Sequence, residues 1–150
     1  MADKRSAAVL DEQAAPSQDF QQFMKRRAEV ARAYVNGDGA PLEGITAHSG
    51  AATFFPPLGG FEQGADAVAT RYQKDARAFT PGGETSFEVL HVADDIAFWA
   101  GFQTAKVKMQ GASGARDMKL RVTEVFRRIG GEWKIVHRHA DMLTEPQTPK

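Results

Sequence analysis

Met118 to His139 reads MKLRVTEVFRRIGGEWKIVHRH, and this stretch decides the fold class. Between Met118 and Arg128 the side chains alternate. Met118, Leu120, Val122, Glu124, Phe126 and Arg128 share one face; Lys119, Arg121, Thr123, Val125 and Arg127 share the other. Period-two alternation with one apolar face is the mark of an antiparallel strand half-covered by a core. Gly130-Gly131 supplies a tight turn with freedom at positive φ, and Glu132 to Leu143 reads as the returning strand.

Working outward, Ile96 to Met109 and Phe87 to Val92 are also extended runs, with Gln110 to Arg116 (containing Gly111 and Gly114) as a hairpin tip. Strands of a dozen residues would be roughly 40 Å long and must bend or bulge to wrap a core of this size. Ala52 to Phe55 reads as a short strand before the Pro56-Pro57 break. Upstream the spacing turns helical. After Ser17, a suitable N-cap, Phe20, Phe23, Met24, Val30, Ala31, Tyr34 and Val35 form one apolar stripe that stops at Asn36-Gly37. Pro41 suits the first turn of a short helix to about His48. A third helix is expected over Ala65 to Phe79, with Val68, Ala69, Tyr72, Ala76 and Phe79 inward and Pro81-Gly82-Gly83 ending it. Helices first and a meander of strands after them argue for an α+β fold. The expected domain is residues 17–143, flanked by an N-terminal tail, 1–16, and a C-terminal tail, 144–150.

The chain has 150 residues, 42% of them apolar and 25% charged, which is ordinary for one domain with its own core. With no cysteine, disulfides, thiolate zinc sites and thiol catalysis are excluded. Lys plus Arg and Asp plus Glu balance at 19 each, without the basic clustering that nucleic-acid capture requires. No apolar run is long enough for a bilayer span or a signal peptide, so a cytoplasmic protein without nucleic-acid or membrane partners is expected. A net charge near zero favours self-association.

Glu124 is the one acid on the apolar face of its strand. A carboxylate there is desolvated, which raises its pKa unless a donor or cation meets it, and makes it a candidate acid or base. Its partner depends on register. A two-residue turn at Gly130-Gly131 places Glu124 opposite His137; a single bulge brings Arg138, Ala140 and Met142 inward instead. A Glu–His pair suits proton transfer, whereas a Glu–Arg pair suits anion recognition or a structural ion pair. His137, His139 and Asp141 alternate on the strand, but they supply only one edge of a metal site, so no metal or other cofactor is expected. Trp99, Gly101 and Gln103 alternate on the neighbouring strand and offer a pocket an aromatic wall and an amide if that side faces it; if the opposite side does, the pocket sees Phe98, Ala100 and Phe102. Tyr34 and Tyr72 could each aim a hydroxyl inward from a helix. Phe55, in Phe54-Phe55-Pro56-Pro57-Leu58, belongs to a run that reads either as an apolar lip of the pocket or as an exposed partner surface, and Phe126 and Met142 complete the candidate ligand contacts.

Tyr34-Val-Asn-Gly-Asp38, Ala52-Thr-Phe-Phe-Pro-Pro-Leu-Gly59 and Gly64 resemble the first half of the nuclear transport factor 2-like superfamily, and Arg121 to His139 resembles the closing hairpin of its SnoaL-like and kinase association-domain members. The resemblance covers residues 18–143. It implies a cone of three helices on a strongly curved sheet, an internal pocket, and homodimers formed across the sheet. Glu124 falls near the acidic residue that isomerases and cyclases carry on the penultimate strand. The association domain has arginine there, and its other inward arginines would fall near Gln103 and Ala140. Where ketosteroid isomerases carry the proton-shuttling acid this chain has Pro56, and their first-helix tyrosine corresponds to about Val30.

Two functions follow as expectations. One is a cofactor-independent isomerase, cyclase or dehydratase acting on a small apolar or polar-aromatic molecule, with Glu124 as acid/base and His137 or Arg138 orienting it. The other is a non-catalytic ligand-binding or assembly module.

Overall fold

The structure, a computed structural model, describes residues 15–148. Of the expected N-terminal tail, residues 1–14 lie outside the described residues, as do 149 and 150 at the other end. Helix α1, Gln18–Tyr34, begins where Ser17 Oγ accepts the Phe20 N–H at 3.2 Å. Phe20, Phe23, Arg27, Val30 and Ala31 form its buried face. Its C-terminus is tied to the sheet by Asn36. The amide Nδ2 donates to the carbonyls of Arg32 (2.7 Å) and Gly83 (3.0 Å), and Oδ1 accepts from Gly82 N (2.7 Å) and Gly83 N (2.9 Å).

Helix α2, Ala40–Gly44, is shorter than the expected helix to about His48. Ile45 O accepts from Ile135 N at 2.7 Å and Ala47 N donates to Ile135 O at 3.2 Å, so pairing with the sheet claims the backbone that a longer helix would use. Helix α3, Ala65–Ala76, likewise stops short of Phe79.

Six strands follow the sheet order β2-β1-β6-β5-β4-β3: β1 Thr53–Phe55, β2 Glu62–Gln63, β3 Phe79–Ala93, β4 Phe98–Met109, β5 Arg116–Ile129 and β6 Glu132–Met142. Of the pairings between these strands, β1–β6 is parallel and the others are antiparallel. Pro81-Gly82-Gly83 does not precede β3 but lies inside it, at a register shift between Thr80 and Glu84. Proline is tolerated where the ladder is already interrupted. Further shifts fall between Val89 and His91 and between Val125 and Phe126. These irregularities let the long strands curve around the helices. The result is three helices packed on a curved, unclosed six-stranded sheet. The core between them includes Phe20, Val30, Phe54, Val68, Tyr72, Trp99, Phe126 and Ile135.

Candidate functional site

The hairpin register decides the site. Ile129 pairs with Glu132 across a two-residue turn, as read from the sequence, and Phe126 pairs with Ile135. Val136 is then accommodated as an extra residue, and from Val125↔His137 onward the register is shifted by one. Glu124 consequently stands opposite Arg138 on one side and opposite Trp99 on the other. Directly paired residues project to the same face of a sheet, so all three side chains enter the concavity together.

There Glu124 is fully buried and receives four hydrogen bonds. Its Oε1 accepts from Arg27 Nε (2.9 Å) and Trp99 Nε1 (2.7 Å), and its Oε2 from Arg27 Nη2 (2.8 Å) and Arg138 Nη1 (2.9 Å). The Arg27 contact is the bidentate fork that guanidinium and carboxylate geometry favours. Burial pushes the Glu124 carboxyl up, but the charges of Arg27 and Arg138 and the hydrogen bonds outweigh it and hold the group at about 2. The Arg27 guanidinium also lies 5.4 Å from the Phe87 ring centroid, and Phe87 stacks on Trp99 at 4.6 Å. Arg138 extends the network, donating from Nη2 to Gln103 Oε1 at 2.7 Å. Gln103 Nε2 donates to Thr85 Oγ1 at 3.0 Å, and Thr85 in turn donates to the Thr104 carbonyl at 2.9 Å.

Beside this network is a cavity of about 230 Å³. Arg27, Tyr34, Tyr72, Gln103, Arg116 and Arg138 bring polar groups to its lining, with Ala31, Val35, Leu42, Phe54, Ala105, Val107 and Leu120 among its apolar residues. Pro56, Pro57 and Leu58 also border it, and Leu58 is 85% exposed, as a lip residue would be. Arg71 and Asp75, also bordering the cavity, are bonded to each other at 2.9 Å, and Arg71 reaches Glu62 at 3.1 Å.

The sequence-predicted residues therefore separate. Arg138, Gln103, Tyr34 and Tyr72 line the cavity, and Glu124 and Trp99 sit behind it as part of the network. His137 does not meet Glu124. The bulge leaves its Nδ1 at 2.6 Å from Thr53 Oγ1 and its ring edge-on to Phe55 at 5.1 Å. Burial lowers its pKa. Phe55 packs on His137 and His139 instead of forming the lip. Phe126 is locked between Phe20 and Phe23 in the core, and Met142 pairs with Leu120 and packs against that core; neither borders the cavity. Arg27 was missed. The signal for it was a charge in the middle of an apolar stripe, four residues after Phe23 and three before Val30, where a helix repeats its buried face.

The SnoaL-like domain model matches residues 24–145. The chain belongs to the SnoaL-like family. Solved structures agree in fold with this SnoaL-like chain. A nuclear transport factor 2-like superfamily protein from Salmonella enterica superposes with a TM-score of 0.70 at 16% identity, covering 85% of this chain and 93% of that one. An NTF2-like family protein from Streptomyces avermitilis, provisionally described as a dehydratase, gives 0.66 at 18% identity, with 85% and 97% covered. The association domain of the C. elegans calcium/calmodulin-dependent kinase II gives 0.59 at 17% identity, with 80% and 92% covered. No curated protein matches the chain. Among the described residues, no helix is long and apolar enough to cross a membrane.

Proposed function

We propose that this SnoaL-like chain binds a small, mostly apolar molecule in the cavity beside Arg138, and that Glu124 serves as a fixed anion that organises two guanidinium groups. The observation that carries this reading is the set of four hydrogen bonds on Glu124. An acid/base must exchange its proton near neutral pH. A carboxylate whose two oxygens each accept two hydrogen bonds, and whose pKa is held at about 2, is ionised at neutral pH and a poor match for that task. The expected role of Glu124 in an isomerase, cyclase or dehydratase mechanism is therefore not the one its surroundings favour, and the binding reading is preferred. A cavity of about 230 Å³ lies below the roughly 300 Å³ at which drug-sized sites begin, so the ligand is small.

Ligand-observed NMR with a panel of small aromatic and aliphatic compounds tests the proposal. Hits should lose binding in Ala105→Leu, which places a larger side chain at a buried cavity-lining position, while the melting temperature is retained. Undiminished binding to the variant would place the ligand elsewhere and end the reading.

Pairing of two copies through the sheet is part of the same proposal. It is supported by the outer face, where Phe98, Ala100, Phe102 and Val125 are only half-buried beside His137 and Phe55. Light scattering at micromolar concentration should report a dimer; a monomer would count against it.

A further inference from the structure

Tyr72 is 2% exposed, its ring packs 4.7 Å from that of Phe54, and its hydroxyl makes no hydrogen bond among the described residues. Leaving a buried hydroxyl unpaired is costly, so a residue kept in this state inside a cavity points to a partner that is not part of the chain. Tyr34 lines the same cavity. Burial pushes the pKa of both phenols up, so each remains a donor at neutral pH.

The charge beside them is unbalanced. Arg27 and Arg138 share one carboxylate, Glu124, which leaves one positive charge in excess within a nearly solvent-free network. Buried charges are expected to be matched. The nearest alternative acid on the lining, Asp75, is taken by Arg71. That pair and Glu62 are about 30% exposed, where solvent screens them, so they do not cancel the buried excess. Arg138 uses Nη1 and Nη2 within the chain, and its Nε has no partner among the described residues.

We propose that the cavity takes a small monocarboxylic acid with an apolar body, its carboxylate accepting from the Tyr72 hydroxyl and the Arg138 guanidinium and its body lying against Leu42, Phe54 and Val107. This rests on the pocket reading above and names the chemical class of its ligand. Two donors converging on an anion, with a net positive charge behind them, discriminate an acid from its neutral isostere. The Glu124 carboxylate fixes the geometry of both arginines without neutralising both.

The test measures dissociation constants at pH 7 for 4-phenylbutyrate and octanoate against 4-phenylbutyramide and octanamide, on the full chain and on Tyr72→Phe. The acids should bind at least about tenfold more tightly than their amides. Tyr72→Phe should weaken acid binding about tenfold, the scale of one hydrogen bond to a charged group. It removes no hydrogen bond from the described chain, so its melting temperature should not fall. Amides that bind as well as acids would overturn the anionic class while leaving the pocket intact. Acids unaffected by Tyr72→Phe would overturn the assigned contact. Failure of all four probes to bind would overturn this inference and the pocket reading together.

Discussion

Glu124 and Arg27 are 97 residues apart in the chain and meet through two hydrogen bonds, of 2.9 and 2.8 Å, between the centre of β5 and the buried face of α1. The pair couples helix to sheet at the middle of the core. It converts an isolated charge on each element into a shared one, and Arg138 makes the arrangement a triad.

Glu124→Gln preserves shape and removes the charge that both arginines face. Breaking a buried ion pair from one side costs on the order of 3–5 kcal/mol, because the remaining charges are stranded. Chemical denaturation should show a loss of that size. A change below about 1 kcal/mol would mean that the arginines relax to solvent and that the network is not structural.

The pH dependence follows from the same group. Its folded pKa, about 2, is depressed from the ordinary 4.5, so its contribution to stability is complete above 4.5 and lost as pH falls toward 2. The Glu124 carboxyl carbon resonance should remain that of the ionised form at pH 3.5, while exposed glutamates titrate. Titration near 4.5 or above would show that burial outweighs the two guanidinium groups.

Gly101 faces the irregularity between Val89 and His91 in β3. A Cβ there would fall 2.1 Å from Glu88 O and 2.9 Å from Leu90 N, both backbone atoms that cannot swing aside. Gly101→Ala should cost at least about 1–3 kcal/mol by overpacking. An unchanged denaturation midpoint would show that β3 can move away at no cost.

Asn36 joins α1 to β3 through four hydrogen bonds of its side-chain amide. Asn36→Ala should lower stability by about 1–3 kcal/mol and speed hydrogen exchange at the Gly82 and Gly83 amides. Asn36→Asp keeps the acceptor and should protect those two amides while losing the bonds to the Arg32 and Gly83 carbonyls. Equal exchange in all three proteins would assign the tie to backbone packing alone.

Much of the fold was legible because its signals are local. Alternation from Met118 to Arg128 identified β5 and put Glu124 on the apolar side, the stripe from Phe20 to Val35 identified α1, and Gly130-Gly131 marked the turn. The glycines and proline at 81–83 misled, because a local breaker signal does not distinguish a strand's start from a bulge within it.

The sequence by itself determined the types and order of the long elements and which face of β5 looks inward, since periods of 2 and 3.6 residues are written in the side chains. Only the tertiary structure decided what Glu124 meets. One extra residue, Val136, turned its neighbour from His137 to Arg138, and helix packing set Arg27 over it. Register and helix docking depend on the energy of the whole core, not on any short window of residues. For that reason a carboxylate that reads as a candidate acid on its strand is, in the folded protein, the shared acceptor of hydrogen bonds from Arg27, Trp99 and Arg138.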